Sequence, residues 1–188
     1  MSLRWLPNAI CFARMALAAP VVHALLRGEY LLTLLLFGAA GVSDGVDGWL
    51  AKTFGWTSSL GEILDPIADK LLLVTAFLTL AWLGLAPWWL TGAVVLRDVV
   101  IVSGAIAYHL LAGGFEGRPT RVSKLNTLLQ LCYVLAVIAG AAWRGVPGEL
   151  VTVIGAACFV TTVVSGLDYV IRYARLALRA GRGPAASA

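Results

Sequence analysis

Charge is what this chain has least of. Only 13% of its 188 residues are charged, while 60% are hydrophobic. Soluble domains carry about 25% charged residues, so an ordinary water-soluble fold is excluded and no nucleic-acid partner is expected. Strict alternation of apolar and polar residues is also missing, which sets aside a membrane β-barrel. Cysteine is scarce, odd in number and scattered: Cys11, Cys132 and Cys158 form no CxxC pair. A disulfide framework or zinc site therefore has no basis, and the three are expected to fill helix contacts. Two histidines, His23 and His109, stand without ligand-spaced partners and are expected to be packing or interfacial residues. The first apolar stretch is interrupted by Arg14 and runs beyond signal-peptide length, so no cleavable leader is expected.

What remains is long apolar runs. They predict an all-α, polytopic membrane protein, a bundle of six transmembrane helices at about 8–27, 30–52, 61–85, 88–112, 122–143 and 148–172, each near the roughly 20 residues that cross a bilayer. No charge occurs between Lys70 and Arg97, but Gly84, Pro87 and Trp88-Trp89 in the middle predict an interfacial turn there. Arg4, Lys52, Arg118, Arg121, Lys124 and the series Arg172, Arg175, Arg179 and Arg182 fall on one side of this topology. The other side holds only Arg27 and Arg144. The positive-inside rule then puts both termini in the cytoplasm. Residues 1–180 are expected to form one domain, and 181–188 a disordered tail.

Against this scarcity, four aspartates crowd the stretch from Ser43 to Lys70. Asp44 and Asp47 share a face near the cytoplasmic end of the second helix, and Asp65 and Asp69 share one near the start of the third. The short turn between these helices lets the two faces meet. Four facing carboxylates raise one another's pKa in a low dielectric, so protons or cations must neutralise them. Oxygen-only ligands suit magnesium or manganese, and four aspartates balance two divalent ions. Paired metals recur in phosphoryl chemistry, whereas a divalent-cation transporter would use the same acids for passage. Gly48 and Gly61, lacking side chains, open a close approach for a polar ligand. Arg118, Arg121 and Lys124 form a cationic cluster suited to an anionic lipid phosphate, or alternatively report topology alone. Arg97 and Asp98 either neutralise each other within the bundle or bind ligand directly.

The spacing Asp44-x-x-Asp47-Gly48-x-x-Ala51-Lys52, then eight residues, then Gly61-x-x-x-Asp65-x-x-x-Asp69 resembles the signature of the CDP-alcohol phosphatidyltransferase family. Lys52 stands where that signature has arginine, keeping charge but losing the planar fork. Pro7-Asn8-Ala9-Ile10-Cys11-Phe12-Ala13-Arg14, with Pro20 beyond, is similar to the opening of the branch that makes phosphatidylglycerophosphate and cardiolipin, and Arg97-Asp98 to its R-[DE] pair. Cys11 replaces the threonine usual there. Ser123-Lys124-x-Asn126-Thr127-x-x-Gln130 resembles the eukaryotic-type, CMP-forming cardiolipin synthases.

The resemblance implies a membrane transferase that moves a phosphatidyl group from CDP-diacylglycerol to phosphatidylglycerol, giving cardiolipin and CMP. The alternative within the family is glycerol 3-phosphate as acceptor, giving phosphatidylglycerophosphate. It implies Asp44, Asp47, Asp65 and Asp69 as ligands of two Mg2+ or Mn2+ ions, with Asp69 also the general base. It assigns Asn8, Gly48, Lys52 and Gly61 to the nucleotide. Arg14, Arg118, Arg121, Lys124 and Asn126 fall to the acceptor and its lipid phosphate. A homodimer is implied, and a bacterial inner membrane is expected, with the active site facing the cytoplasm.

Overall fold

The computed structural model describes the backbone of residues 6–54, 59–112, 120–143 and 145–180, and side chains at 13, 15–43, 70–104, 120, 122–143 and 145–171. Six α-helices follow in order: α1 (Leu6–Leu26), α2 (Tyr30–Phe54), α3 (Ser59–Trp82), α4 (Trp88–Ala112), α5 (Arg121–Ala142) and α6 (Gly148–Ala180). Among the described residues there is no strand, so the all-α expectation holds. Five helices start and stop within three residues of the expected spans. The exception is α6, which continues past the apolar run to Ala180 through Arg172, Arg175 and Arg179. The segment 181–188, expected to be disordered, lies outside the described residues.

Local chemistry sets the helix ends. At the close of α1 the Gly28 amide donates to the Leu25 carbonyl at 3.0 Å, and the Glu29 amide to Ala24 at 2.9 Å. At the close of α3 the Gly84 amide reaches Ala81 at 3.1 Å and the Leu85 amide reaches Leu80 at 2.9 Å. Both pairs are Schellman caps, which require a left-handed residue just past the helix. Gly28 and Gly84 each have φ +72°. Thr120 caps α5: its hydroxyl oxygen accepts the Ser123 amide at 3.2 Å, one of the donors that helix geometry leaves orphaned. Pro87 and Pro147 directly precede α4 and α6. They cost no hydrogen bond there, because first-turn amides lack intrahelical partners.

Within the apolar segments, hydroxyls donate back to their own helix. Thr33 reaches the Glu29 carbonyl at 2.9 Å, Thr79 reaches Thr75 at 2.7 Å and Thr152 reaches Gly148 at 2.9 Å. Polar atoms are thereby satisfied without water.

The chain divides into two compact units, residues 1–87 with 131–152, and 88–130 with 153–188. In the first, α1 packs on both α2 and α3. Its buried core includes Val21 and Leu25 of α1, Phe37 of α2, Phe77 and Leu80 of α3, and Val134 and Ile138 of α5. The Phe77 and Tyr133 rings stack with centroids 5.8 Å apart. In the second unit Leu90, Val94 and Cys158 are buried, and Trp89 meets Phe159 edge to face at 5.0 Å. Cys132 and Cys158 carry free thiols, as helix-filling residues should, and His23 is exposed in the last turn of α1. Cys11 and the His109 side chain lie outside the described residues.

Two helical segments, Val122–Ala142 and Gly148–Ile171, are long and apolar enough to cross a membrane. Only 22% of the most apolar stretch of the latter is buried inside the protein, and Val153, Val160, Val163, Val164, Leu167 and Val170 are exposed along α6. A soluble core helix would hide these side chains, so a lipid environment accounts for them. Trp82, Trp88, Trp89 and Trp143 stand exposed at helix ends, where membrane-interface aromatics belong. Shorter apolar helices occupy Met15–Leu26, Tyr30–Ser43 and Lys70–Trp82 among the described residues.

No atom lies within 4 Å of where a Cβ on Gly84 would stand, so the cost of substitution there is conformational alone. Gly84→Ala should lower unfolding free energy by about 1–2 kcal/mol, and Gly84→Asn by less, because asparagine tolerates the left-handed region. Equilibrium unfolding in mixed micelles checks both. Equal losses from the two variants would remove the assignment.

Candidate functional site

The four aspartates sit on helical backbone. Asp44 and Asp47 lie one turn apart on α2, and Asp65 and Asp69 one turn apart on α3. At about 1.5 Å per residue, Asp44 is roughly 15 Å before the end of α2 and Asp65 roughly 9 Å after the start of α3. Phe54 and Ser59, the ends between them, are joined by chain that reaches at most about 18 Å. The side chains of all four aspartates lie outside the described residues, as do those of Asn8, Arg14, Lys52 and Arg121, while Arg118 falls outside altogether. Gly48 and Gly61 occupy the same helices, one residue after Asp47 and four before Asp65. The donor set, carboxylate oxygens in two same-face pairs on regular helix, fits a hard divalent cation. Among the described residues no group of three or more His, Cys, Asp or Glu gathers.

The described polar chemistry concentrates on α4, α5 and α6. Arg97 on α4 is 4% exposed and Asp98 is 8% exposed. The Arg97 Nη1 donates to Asp98 Oδ1 at 2.7 Å. The two residues pair, as the neutralisation reading expects. The rest of the guanidinium reaches other helices. Its Nε donates to Ser165 Oγ of α6 at 3.2 Å, its Nη2 to the same oxygen at 2.8 Å, and Nη2 also to Ser123 Oγ of α5. Four of the five N–H groups that an arginine carries are thereby used. An arginine so engaged holds helices together and has little left to offer an incoming phosphate.

Lower on α5, Asn126 is fully buried. Its Oδ1 lies 2.9 Å from the Thr161 hydroxyl and 2.8 Å from the Thr162 hydroxyl, both on α6. Ser123, Asn126 and Gln130 recur at three and four residues, one face of the helix, and all three are buried. Lys124, one residue after Ser123, is exposed. The α5 segment therefore turns a polar stripe inward and its lysine outward. Ser165, Thr161 and Thr162 were not apparent as partners from sequence, where hydroxyl residues in an apolar helix give no sign of what they meet. Gln130 stood in the sequence motif, but its burial became visible only through its register with Ser123 and Asn126.

This helical chain, with its spaced aspartates on α2 and α3, has relatives among known proteins. A family model described as CDP-alcohol phosphatidyltransferase matches residues 4–180, and the chain belongs to that family. It is 28% identical over 185 residues to a probable cardiolipin synthase (CMP-forming) of Drosophila melanogaster, covering 88% of this chain and 56% of that protein. It is 29% identical over 181 residues to the cardiolipin synthase (CMP-forming) of Rattus norvegicus, covering 87% and 60%. Against a probable phosphatidylglycerophosphate synthase of Mycobacterium tuberculosis it is 33% identical over 146 residues, covering 74% and 65%. The chain thus spans somewhat over half the length of the curated relatives it matches.

Ser165→Ala takes two donor contacts from a buried guanidinium, and hydrogen bonds to charged groups contribute about 1.5–3 kcal/mol. Unfolding free energy should fall by that order, whereas Lys124→Ala, at an exposed position, should shift it by no more than about 0.5 kcal/mol. Denaturant titration of the two variants side by side reads the difference.

Proposed function

We propose that this protein is an integral-membrane synthase that transfers a phosphatidyl group from CDP-diacylglycerol to the hydroxyl of phosphatidylglycerol, giving cardiolipin and CMP. The observation that carries the transfer reaction is the aspartate signature on the helical backbone of α2 and α3, within a chain of this family. The choice of acceptor rests on the Ser123–Gln130 segment and on likeness to proteins named cardiolipin synthases. Glycerol 3-phosphate is the second reading, favoured by the similarity to a protein named phosphatidylglycerophosphate synthase.

In this reading Asp44, Asp47, Asp65 and Asp69 would hold two Mg2+ or Mn2+ ions, which when bound would offset the charge of the diphosphate and of the leaving CMP. Gly48 and Gly61 admit the nucleotide close to the helix backbone, and Asn8 and Lys52 contact it. Lys52 acts as a point charge beside the diphosphate. Arg14, Arg118, Arg121, Lys124 and Asn126 bind the acceptor, the cations among them its phosphate. Asp69 takes the proton of the acceptor hydroxyl as its oxygen forms a bond to the lipid-side phosphorus. The bond from that phosphorus to the bridging oxygen breaks, and CMP departs with the electron pair.

Six helices cross the inner membrane of a bacterium with both termini and the site at the cytoplasmic face. The distribution of Lys and Arg supports the orientation of the termini, and the family match across residues 4–180 supports one membrane domain over 1–180. The protein acts as a homodimer, on family resemblance.

Purified protein is incubated with CDP-diacylglycerol, Mg2+ or Mn2+, and each acceptor separately. Cardiolipin and CMP should form only with phosphatidylglycerol. Product with glycerol 3-phosphate instead would move the protein to the other branch, and cation flux into liposomes without CMP would make it a transporter. Asp69→Asn should slow CMP release about 100-fold or more while nucleotide binding persists. Turnover at the wild-type rate in that variant would remove Asp69 as the base.

A further inference from the structure

The polar stripe on α5 is satisfied at its upper end and unsatisfied at its lower end. Ser123 meets Arg97, and Asn126 Oδ1 meets two threonines. Asn126 Nδ2 and both amide ends of Gln130, Nε2 and Oε1, are buried and have no hydrogen-bond partner among the described residues. Both residues are fully buried, at 0% exposure. They stand four apart on one helix, where side chains are neighbours with Cβ atoms about 5–6 Å apart.

Turning the Asn126 amide over does not change this. Thr161 Oγ1 has the Ala157 carbonyl at 2.9 Å as well as Asn126 Oδ1, so its single proton serves either. Whichever end of Asn126 faces the threonines, the other end is left over. Gln130 lacks a partner at both ends in either orientation. An amide buried without partners is costly, and native proteins rarely leave several together dry.

We propose that Asn126 and Gln130 form a binding site for one neutral hydroxyl group, which accepts from one amide and donates to the other. The unpartnered Gln130 Oε1, an acceptor, favours an occupant that can donate over an anion. Both side chains are uncharged, and the neighbouring cation, Arg97, is spent on Asp98, Ser123 and Ser165. A hydroxyl carries both a donor and acceptor lone pairs, matching one leftover amide end on Asn126 and the two on Gln130. Two sources supply such a group. One is an ordered water, which takes two to four hydrogen bonds in buried polar sites. The other is a free hydroxyl of the acceptor's glycerol headgroup, an assignment that rests on the function proposed above.

Gln130→Met, close in size and without polar ends, separates them. If a headgroup hydroxyl occupies the site, the KM for acceptor rises about tenfold or more, the order of one lost hydrogen bond to a buried group. The KM for CDP-diacylglycerol and kcat then stay near wild type. If water occupies it, the acceptor KM holds while the midpoint of thermal unfolding falls by about 3 °C or more. An unchanged acceptor KM with an unchanged or raised midpoint overturns the proposal, because removing a dry, unpartnered amide relieves a penalty. A density map of the wild-type protein in lipid nanodiscs at water-resolving quality serves if the variant does not accumulate. It should show an oxygen-sized peak within hydrogen-bond reach of both amides, and their direct contact without one overturns the site. Should the wild type release CMP with no acceptor, the proposed function fails, yet the unfolding midpoint and the density still decide whether a hydroxyl is bound.

Discussion

A buried guanidinium organises the second unit of this protein. Moving a charge out of water is expensive, and the cost is tolerable only when the charge is neutralised and its hydrogen-bonding groups are met. Asp98, the next residue, supplies the neutralisation at 2.7 Å. Ser123 and Ser165 supply acceptors from two other helices. Because the guanidinium is planar and rigid, its directions fix where those serines can stand. The constraint therefore reaches past the ion pair to the placement of α5 and α6 around α4. Lysine could neutralise Asp98 equally well, yet it could not hold two oxygens in a plane. The same rigidity leaves Lys124, one residue after Ser123, facing outward from a helix whose inward face is pinned.

Polar groups in this chain are handled in two different ways. Thr33, Thr79 and Thr152 return their hydroxyls to their own helix and ask nothing of a neighbour. Ser123, Ser165, Asn126, Thr161 and Thr162 instead face other helices, and these contacts specify which helix sits where. In a lipid solvent apolar side chains give little preference among helix pairings, since the tails are as apolar as the leucines. Hydrogen bonds and close packing then decide the pairings.

Much of this was legible in the sequence, and the reasons differ by feature. Helix boundaries came through because apolar runs end where Gly, Pro or charge begins, as at Gly84 and Pro87. The end of α6 did not, because hydropathy stops near Ile171 while Arg172, Leu176 and Arg179 remain good helix formers. The aspartate pairs were visible through their three- and four-residue spacing, which helix geometry converts to shared faces. Asn126 was singled out by its motif, but its burial against α6 was not visible. The serine partners of Arg97 lie 26 and 68 residues away, and no local pattern in an apolar helix announces contacts of that separation. Whether Arg97 and Asp98 pair or bind ligand could not be decided from two adjacent letters, since either use needs the same residues.

The glycine turns after α1 and α3 bear on what the helix ends demand of their surroundings. In each, carbonyls that a helix end leaves open are closed by amides of the turn itself. Residues 27–29 carry one cation and one anion, and 83–87 carry no charge. Each turn therefore meets part of its own backbone hydrogen bonding and carries no net charge, so it asks little of a neighbouring chain or of solvent.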